Sequence, residues 1–97
     1  MKTYTICGSM RFEKQMREIA YDLEVRGGYN ILQCVYNDGG TVPTEEERFR
    51  LARAHERKID FSDGIYVVNI NGYIGDSVRQ EIEYAKSHGK EVIYHVG

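Results

Sequence analysis

A chain of 97 residues carrying 13 Lys and Arg against 15 Asp and Glu, a net charge of -2, has room for one compact domain spanning 1–97 and for no second. That balance lacks the clustered basic excess with which proteins hold DNA or RNA, so a polymeric nucleic acid is not an expected partner, while a single nucleotide remains compatible with it. Two cysteines, Cys7 and Cys34, are too few for a disulfide framework and have no CxxC or Cys/His spacing suited to a metal, so both are expected to be buried thiols.

The chain opens directly on a strand pattern, Thr3–Cys7, without the apolar stretch of a secretory leader and without a run long enough to span a bilayer; no membrane partner is expected, and the location is read as cytoplasmic. Gly8-Ser9 closes this strand. Phe12, Met16, Ile19, Ala20 and Leu23 then recur at helical spacing, which predicts a helix over 11–26 with one buried stripe, stopped by Gly27-Gly28. Tyr29–Val35 reads as a second strand, followed by a loop through Asn37-Asp-Gly-Gly40 and Pro43. Thr44 with Glu47 forms a capping box, so a second helix starts there and runs to about Lys58, with Phe49, Ala52 and Ile59 as its apolar positions. Gly64–Ile70 is apolar enough to be the middle of a sheet. After the turn Asn71-Gly-Tyr-Ile-Gly75, a third helix is predicted over 77–88, ended by Gly89, and Glu91–Val96 is the last strand.

Strands alternating with helices in this way specify an α/β domain: one doubly wound, Rossmann- or flavodoxin-like unit with a four-stranded parallel sheet in the order 2-1-3-4 and three helices. In that order the chain reverses direction between strands 1 and 3, and ligands of such folds bind in the crevice outside the carboxyl ends of those strands. Two loops border it, Gly8-Ser-Met-Arg11 and Asn69–Ser77.

Gly8, Ser9 and Arg11 place a flexible backbone, a hydroxyl and a guanidinium at a helix N-terminus, where free N–H groups and the helix dipole favour an anion such as phosphate. A simple strand-to-helix turn with Ser9 as N-cap accounts for the same residues equally well. In the second loop, Gly72 and Gly75 allow a tight turn, and Ser77 with Gln80 has the form of another capping box. Tyr73 either packs or stacks on a base. Val78, Ile82 and Ala85 define the buried stripe of the third helix, and Glu81 sits roughly 60–70° from its centre, bordering the crevice. A carboxylate there suits a nucleophile or general base; it also suits a surface Glu favouring the helix dipole. Asp60 and Asp63 read as turn or cap residues, while His88 and His95 have no nucleophile or ligand partner in sequence.

Cys7-Gly-Ser-Met-Arg11, Asp63 and Glu81-Ile-Glu-Tyr-Ala-Lys-Ser-His-Gly-Lys90, taken in order, resemble the nucleoside 2-deoxyribosyltransferase superfamily, which includes the 2'-deoxynucleoside 5'-phosphate N-hydrolases. The resemblance covers nearly the whole chain, and its strongest part is Glu-x-x-Tyr-Ala followed by Gly-Lys and a strand. It implies that Glu81 attacks C1' of the sugar and expels the base, and that water or a second base then resolves the glycosyl-enzyme ester. It implies no metal or organic cofactor. The CGSxR form of the first loop is more similar to the phosphate-accepting branch, which makes Ser9, Arg11, Ser77 and the Gly75 backbone candidate phosphate ligands.

Eight residues before Asp63, where the family carries an acidic sugar-binding residue, this chain has His55. The expected substrate-binding set is therefore Gly8, Ser9, Arg11, His55, Asn71, Tyr73, Gly75 and Ser77. Relatives extend past the fourth strand into a helix and strand that complete sites across a dimer, whereas this sequence ends at Gly97; a symmetric homodimer is nevertheless expected, because neighbours can close each other's open crevices. The alternative reading is a catalytically inactive nucleotide or nucleotide-sugar binding module.

Overall fold

The computed structural model describes residues 1–37 and 39–96; Asp38, expected in the loop after the second strand, and Gly97 lie outside the described residues. The elements follow in the order β1 (Thr3–Gly8), a 3-10 turn (Met10–Phe12), α1 (Glu13–Val25), β2 (Asn30–Leu32), α2 (Glu45–Asp60), β3 (Gly64–Val68), a second 3-10 turn (Ile70–Gly72), α3 (Asp76–Ser87) and β4 (Glu91–Tyr94). All strand pairs are parallel, and the sheet order is β2-β1-β3-β4, as the alternation of elements requires.

The two-residue period of the strands sorts the core onto the two faces of the sheet. Tyr4 and Ile6 of β1 and Val68 of β3 pack with Ile31, Met16 and Ala20 under α1. Cys7 of β1, with Ile65 and Val67 of β3, faces the other way and packs with Ile59 of α2 and with Val78, Ile82 and Ala85 of α3. The alternation thus sends Cys7 to the layer formed by α2 and α3. On the Cys7 face, Thr5 Oγ1 and Ser62 Oγ share a buried hydrogen bond of 2.6 Å. Gly64 lets β4 come close, because a Cβ there would strike the backbone and side chain of Glu91.

Several expected boundaries shift for local reasons. The second strand is not Tyr29–Val35 but Asn30–Leu32, paired on one side only, with Thr3–Thr5; Cys34 and Val35 leave the sheet. The third strand ends at Val68, because Asn71 takes a left-handed conformation (φ 55) and the chain folds into a 3-10 turn at Ile70–Gly72. The fourth strand ends at Tyr94.

The capping box of α2 forms as read, with Thr44 Oγ1 accepting from Glu47 N at 3.1 Å and Glu47 Oε1 accepting from Thr44 N at 2.8 Å. Of its expected apolar positions, only Ile59 is buried. Phe49 is 62% exposed and Ala52 is exposed, while the buried residues are His55 and Ile59, one turn apart. The reason is that α2 seats only its C-terminal part on the sheet, and its earlier turns stand over the crevice.

At the opposite end of the strands the loops are tied by polar side chains, as expected for Asp60 and Asp63. Asp63 Oδ2 accepts from Thr3 N at 2.8 Å, and Asp60 Oδ1 accepts from the Tyr84 hydroxyl at 2.6 Å. Lys90 Nζ donates to the carbonyls of Asp60 and Ser62, at 3.0 and 2.9 Å. Among the described residues no helix is long and apolar enough to cross a membrane.

Candidate functional site

A cavity of about 570 Å³ opens at the carboxyl ends of β1 and β3, within the range of small-molecule sites. It lies at the reversal of strand order, where the topology places it. Gly8, Ser9 and Met10 leave β1 to form one side, and Cys34 and Val35 another. Leu51, Ala54, His55 and Lys58 come from α2 together with Arg48 and Ala52, and Tyr73, Gly75, Ser77, Val78 and Glu81 complete the wall with Asp76.

The cavity brings together Gly8, Ser9, His55, Tyr73, Gly75, Ser77 and Glu81 of the expected set. Arg11 and Asn71 do not line it. The Arg11 guanidinium lies over the Tyr73 ring, 4.0 Å from its centroid, at the rim. Asn71 is exposed, and its left-handed backbone serves the turn. Ser9 caps the 3-10 turn, accepting from Arg11 N at 3.4 Å. Ser77, by contrast, is not a cap: α3 starts one residue earlier, its N-cap is Gly75, and no side chain caps it. Asp76 instead pairs with Arg79 at 3.2 Å. The first-turn N–H groups of α3 therefore meet the cavity without a capping oxygen, which is what an anion site at a helix start requires.

Glu81 projects from α3 at the edge of the stripe of Val78, Ile82 and Ala85, its side chain 23% exposed. Its Oε1 stands 3.6 Å from His55 Nε2, and the same nitrogen is 3.3 Å from Cys7 Sγ. Burial raises the Glu81 carboxyl to about 7; the nearby Cys7 thiol offsets this in part, and Glu56 adds to it. Burial, with the Lys58 charge, lowers His55 to about 4. Burial also holds the Cys7 thiol well above its ordinary range. At neutral pH the site thus contains a neutral imidazole, a protonated thiol and a carboxyl that ionises less readily than an ordinary Glu.

In comparisons with known proteins, the chain matches no family model, no curated protein and no solved structure.

The sequence does not point to three participants. Cys7 enters because β1 turns its side chain toward α2 and α3, and Lys58 and Arg48 enter because α2 leans over the cavity. Helical spacing, with Arg48, His55 and Lys58 at i, i+7 and i+10 on one face, was the available signal for the α2 group. Nothing in the spacing of Cys7 announced its neighbours. His88 and His95 stay outside the site: His88 stacks on Tyr84 at 4.1 Å, and His95 Nδ1 lies 2.7 Å from the Tyr66 hydroxyl.

Proposed function

We propose that this protein cleaves the N-glycosidic bond of (deoxy)nucleoside 5'-monophosphates, or exchanges the base of deoxynucleosides, with Glu81 as nucleophile. The observation that carries the reading is the placement of Glu81: a largely desolvated carboxyl on the wall of a nucleotide-sized cavity whose rim is an uncapped helix start. In its ionised form a Glu81 oxygen bonds to C1', the C1'–N bond breaks, and the electron pair leaves with the base, which takes up a proton. Water or a second base then attacks C1' and releases the carboxylate. The α3 N-terminus, Ser9 and the cations Arg48 and Lys58 supply anion-binding groups around the space for a 5'-phosphate.

The similarity of the Glu81–Lys90 segment to the nucleoside 2-deoxyribosyltransferase superfamily supports the same role, in a cytoplasmic homodimer. Incubation with a panel of deoxynucleosides and their 5'-monophosphates, with and without an acceptor base and with a chelator present, followed by chromatography of the free base, tests it. Base release that depends on Glu81 is the expected result.

A second reading, a nucleotide-binding module without turnover, is favoured by one observation. Among the described residues lining the cavity, the other carboxylate is Asp76, whose side chain is 95% exposed and engaged by Arg79. Glycosidases of the retaining type use two carboxyl groups about 5–5.5 Å apart. Stabilisation by nucleotides without base release at high protein concentration would select this reading.

A further inference from the structure

Cys7 Sγ, His55 Nε2 and a Glu81 carboxylate oxygen come from three separate elements, β1, α2 and α3, yet all lie within 4.8 Å of one another. Two contacts define the arrangement: 3.3 Å from sulfur to nitrogen and 3.6 Å from nitrogen to oxygen. Both involve the same ring nitrogen. A nucleophile–imidazole–carboxylate relay engages the two imidazole nitrogens separately, one toward the nucleophile and one toward the orienting acid. Cys7 is moreover fully buried, the opposite of the accessible, electropositive surroundings of a reactive thiolate. Sulfur, nitrogen and oxygen converging on one point is instead the geometry of ligands around a cation. Zinc bonds of about 2.3 Å to sulfur and about 2.0–2.2 Å to nitrogen and oxygen, at tetrahedral angles, put such ligand atoms about 3.3–3.6 Å apart, the spacing of the sulfur–nitrogen and nitrogen–oxygen pairs here, while the sulfur–oxygen pair lies within 4.8 Å.

We propose that Cys7, His55 and Glu81 form a binding site for a divalent transition-metal ion of the zinc type, with its fourth position open to the cavity. The donor set is the reason for the metal class: one thiolate, one imidazole and one carboxylate suit zinc or cobalt, whereas magnesium and calcium take oxygen ligands. Three protein ligands with an open position is the pattern of sites that keep a water or an exogenous ligand on the metal. His55 has its Nε2 directed at the other two donors. Coordination displaces the Cys7 proton to solvent, and any proton on Glu81 with it, so binding strengthens as pH rises.

An ion in this position cross-links β1, α2 and α3 and stabilises the fold by mass action. It also occupies the Glu81 oxygen that the glycosidase chemistry uses, so zinc suppresses base release. That consequence rests on the proposed function; the binding itself does not.

The test is a titration of untagged, reduced, metal-stripped protein with Co²⁺, followed by displacement with Zn²⁺. The expected result is a thiolate-to-cobalt charge-transfer band that saturates at one ion per chain, visible-region bands of tetrahedral intensity, and an upward shift in melting temperature that a chelator reverses. The band is lost in Cys7→Ser and retained in Cys34→Ser. His55→Gln and Glu81→Gln sit on the cavity wall and report on the site even if Cys7→Ser fails to fold; each loses stoichiometric binding. Absence of the band in the wild-type chain, or full binding in a folded variant of any of the three ligands, overturns the site. These readouts are independent of base release, so failure of the metal site and failure of the glycosidase reading are separable.

Discussion

His55 Nε2 stands 3.6 Å from Glu81 Oε1 in a wall that leaves their side chains only 10% and 23% exposed. Burial pushes the two groups in opposite directions, toward neutral imidazole and neutral carboxyl. The pair sets an acid that resists ionising beside a base that resists protonation.

Replacing Glu81 by Gln keeps the shape of the wall and removes the proposed nucleophile. Base release should fall by roughly a hundredfold or more, while nucleotide-dependent thermal stabilisation persists. In the proposed mechanism the ionised carboxyl is the reactive form, so kcat/KM of the wild-type protein should rise with pH through about 7 and then level off. Initial rates across that range, measured with a chelator present, check both statements, and a Glu81→Gln protein as active as wild type removes Glu81 from the mechanism.

The same pair makes a prediction for stability. Glu81 is raised from 4.5 to about 7, so its contribution is complete below pH 4.5 and is lost as pH rises through about 7. His55 is lowered from 6.5 to about 4, so its contribution is complete above pH 6.5 and is lost as pH falls through about 4. Between pH 4.5 and 6.5 the folded and unfolded states bind the same number of protons on this pair, and the two slopes cancel. Each single variant should expose the other slope. His55→Gln loses stability as pH rises through this range and beyond, and Glu81→Gln loses it as pH falls, each by on the order of 2–3 kcal/mol over its full window. The ionisable neighbours, Lys58 and Glu56 on α2 and Cys7 on β1, remain in both variants. Urea unfolding at a series of pH values, with a chelator present, measures the slopes; equal slopes in the two variants contradict the assignment.

Arg11 rests on Tyr73 at the rim of the cavity rather than on its wall. A 5'-phosphate bound at the start of α3 would draw the guanidinium off the ring by a charge-assisted contact. Arg11→Ala should therefore raise KM for monophosphates by about tenfold while leaving unphosphorylated nucleosides unchanged. Parallel Michaelis curves for one nucleoside and its monophosphate decide it; equal effects on both would place Arg11 in a purely structural role.

Gly64 is set by packing between neighbouring strands. A Cβ at this position meets the Glu91 backbone of β4, which cannot retreat without breaking the ladder. Gly64→Ala should cost about 1–3 kcal/mol, read as a drop in thermal midpoint, and a variant as stable as wild type would mean that β4 is held elsewhere.

By itself the sequence determined what depends on neighbours along the chain. Alternation of the two hydrophobic periods specified four parallel strands and three helices in the order 2-1-3-4. Thr44 and Glu47 announced the start of α2, and Val78, Ile82 and Ala85 placed Glu81 at the edge of a buried stripe. The crevice between the first and third strands followed from the topology. These features are local, or follow from the handedness of local connections.

The tertiary structure alone decided which side chains meet. Cys7 and His55 lie 48 positions apart, and only the stacking of α2 and α3 on one face of the sheet brings them together beside Glu81. The seating of α2 left Phe49 in solvent and put His55 inside, reversing what residue type suggests, because the exposure of a helix face depends on what covers it. The N-cap role expected of Ser77 falls to Gly75, two positions earlier, because the turn before α3 lets the helix begin at Asp76. Periodicity records which face of an element is buried. The partner across that face is set by how the layers close, and the sequence expresses that only through the finished fold.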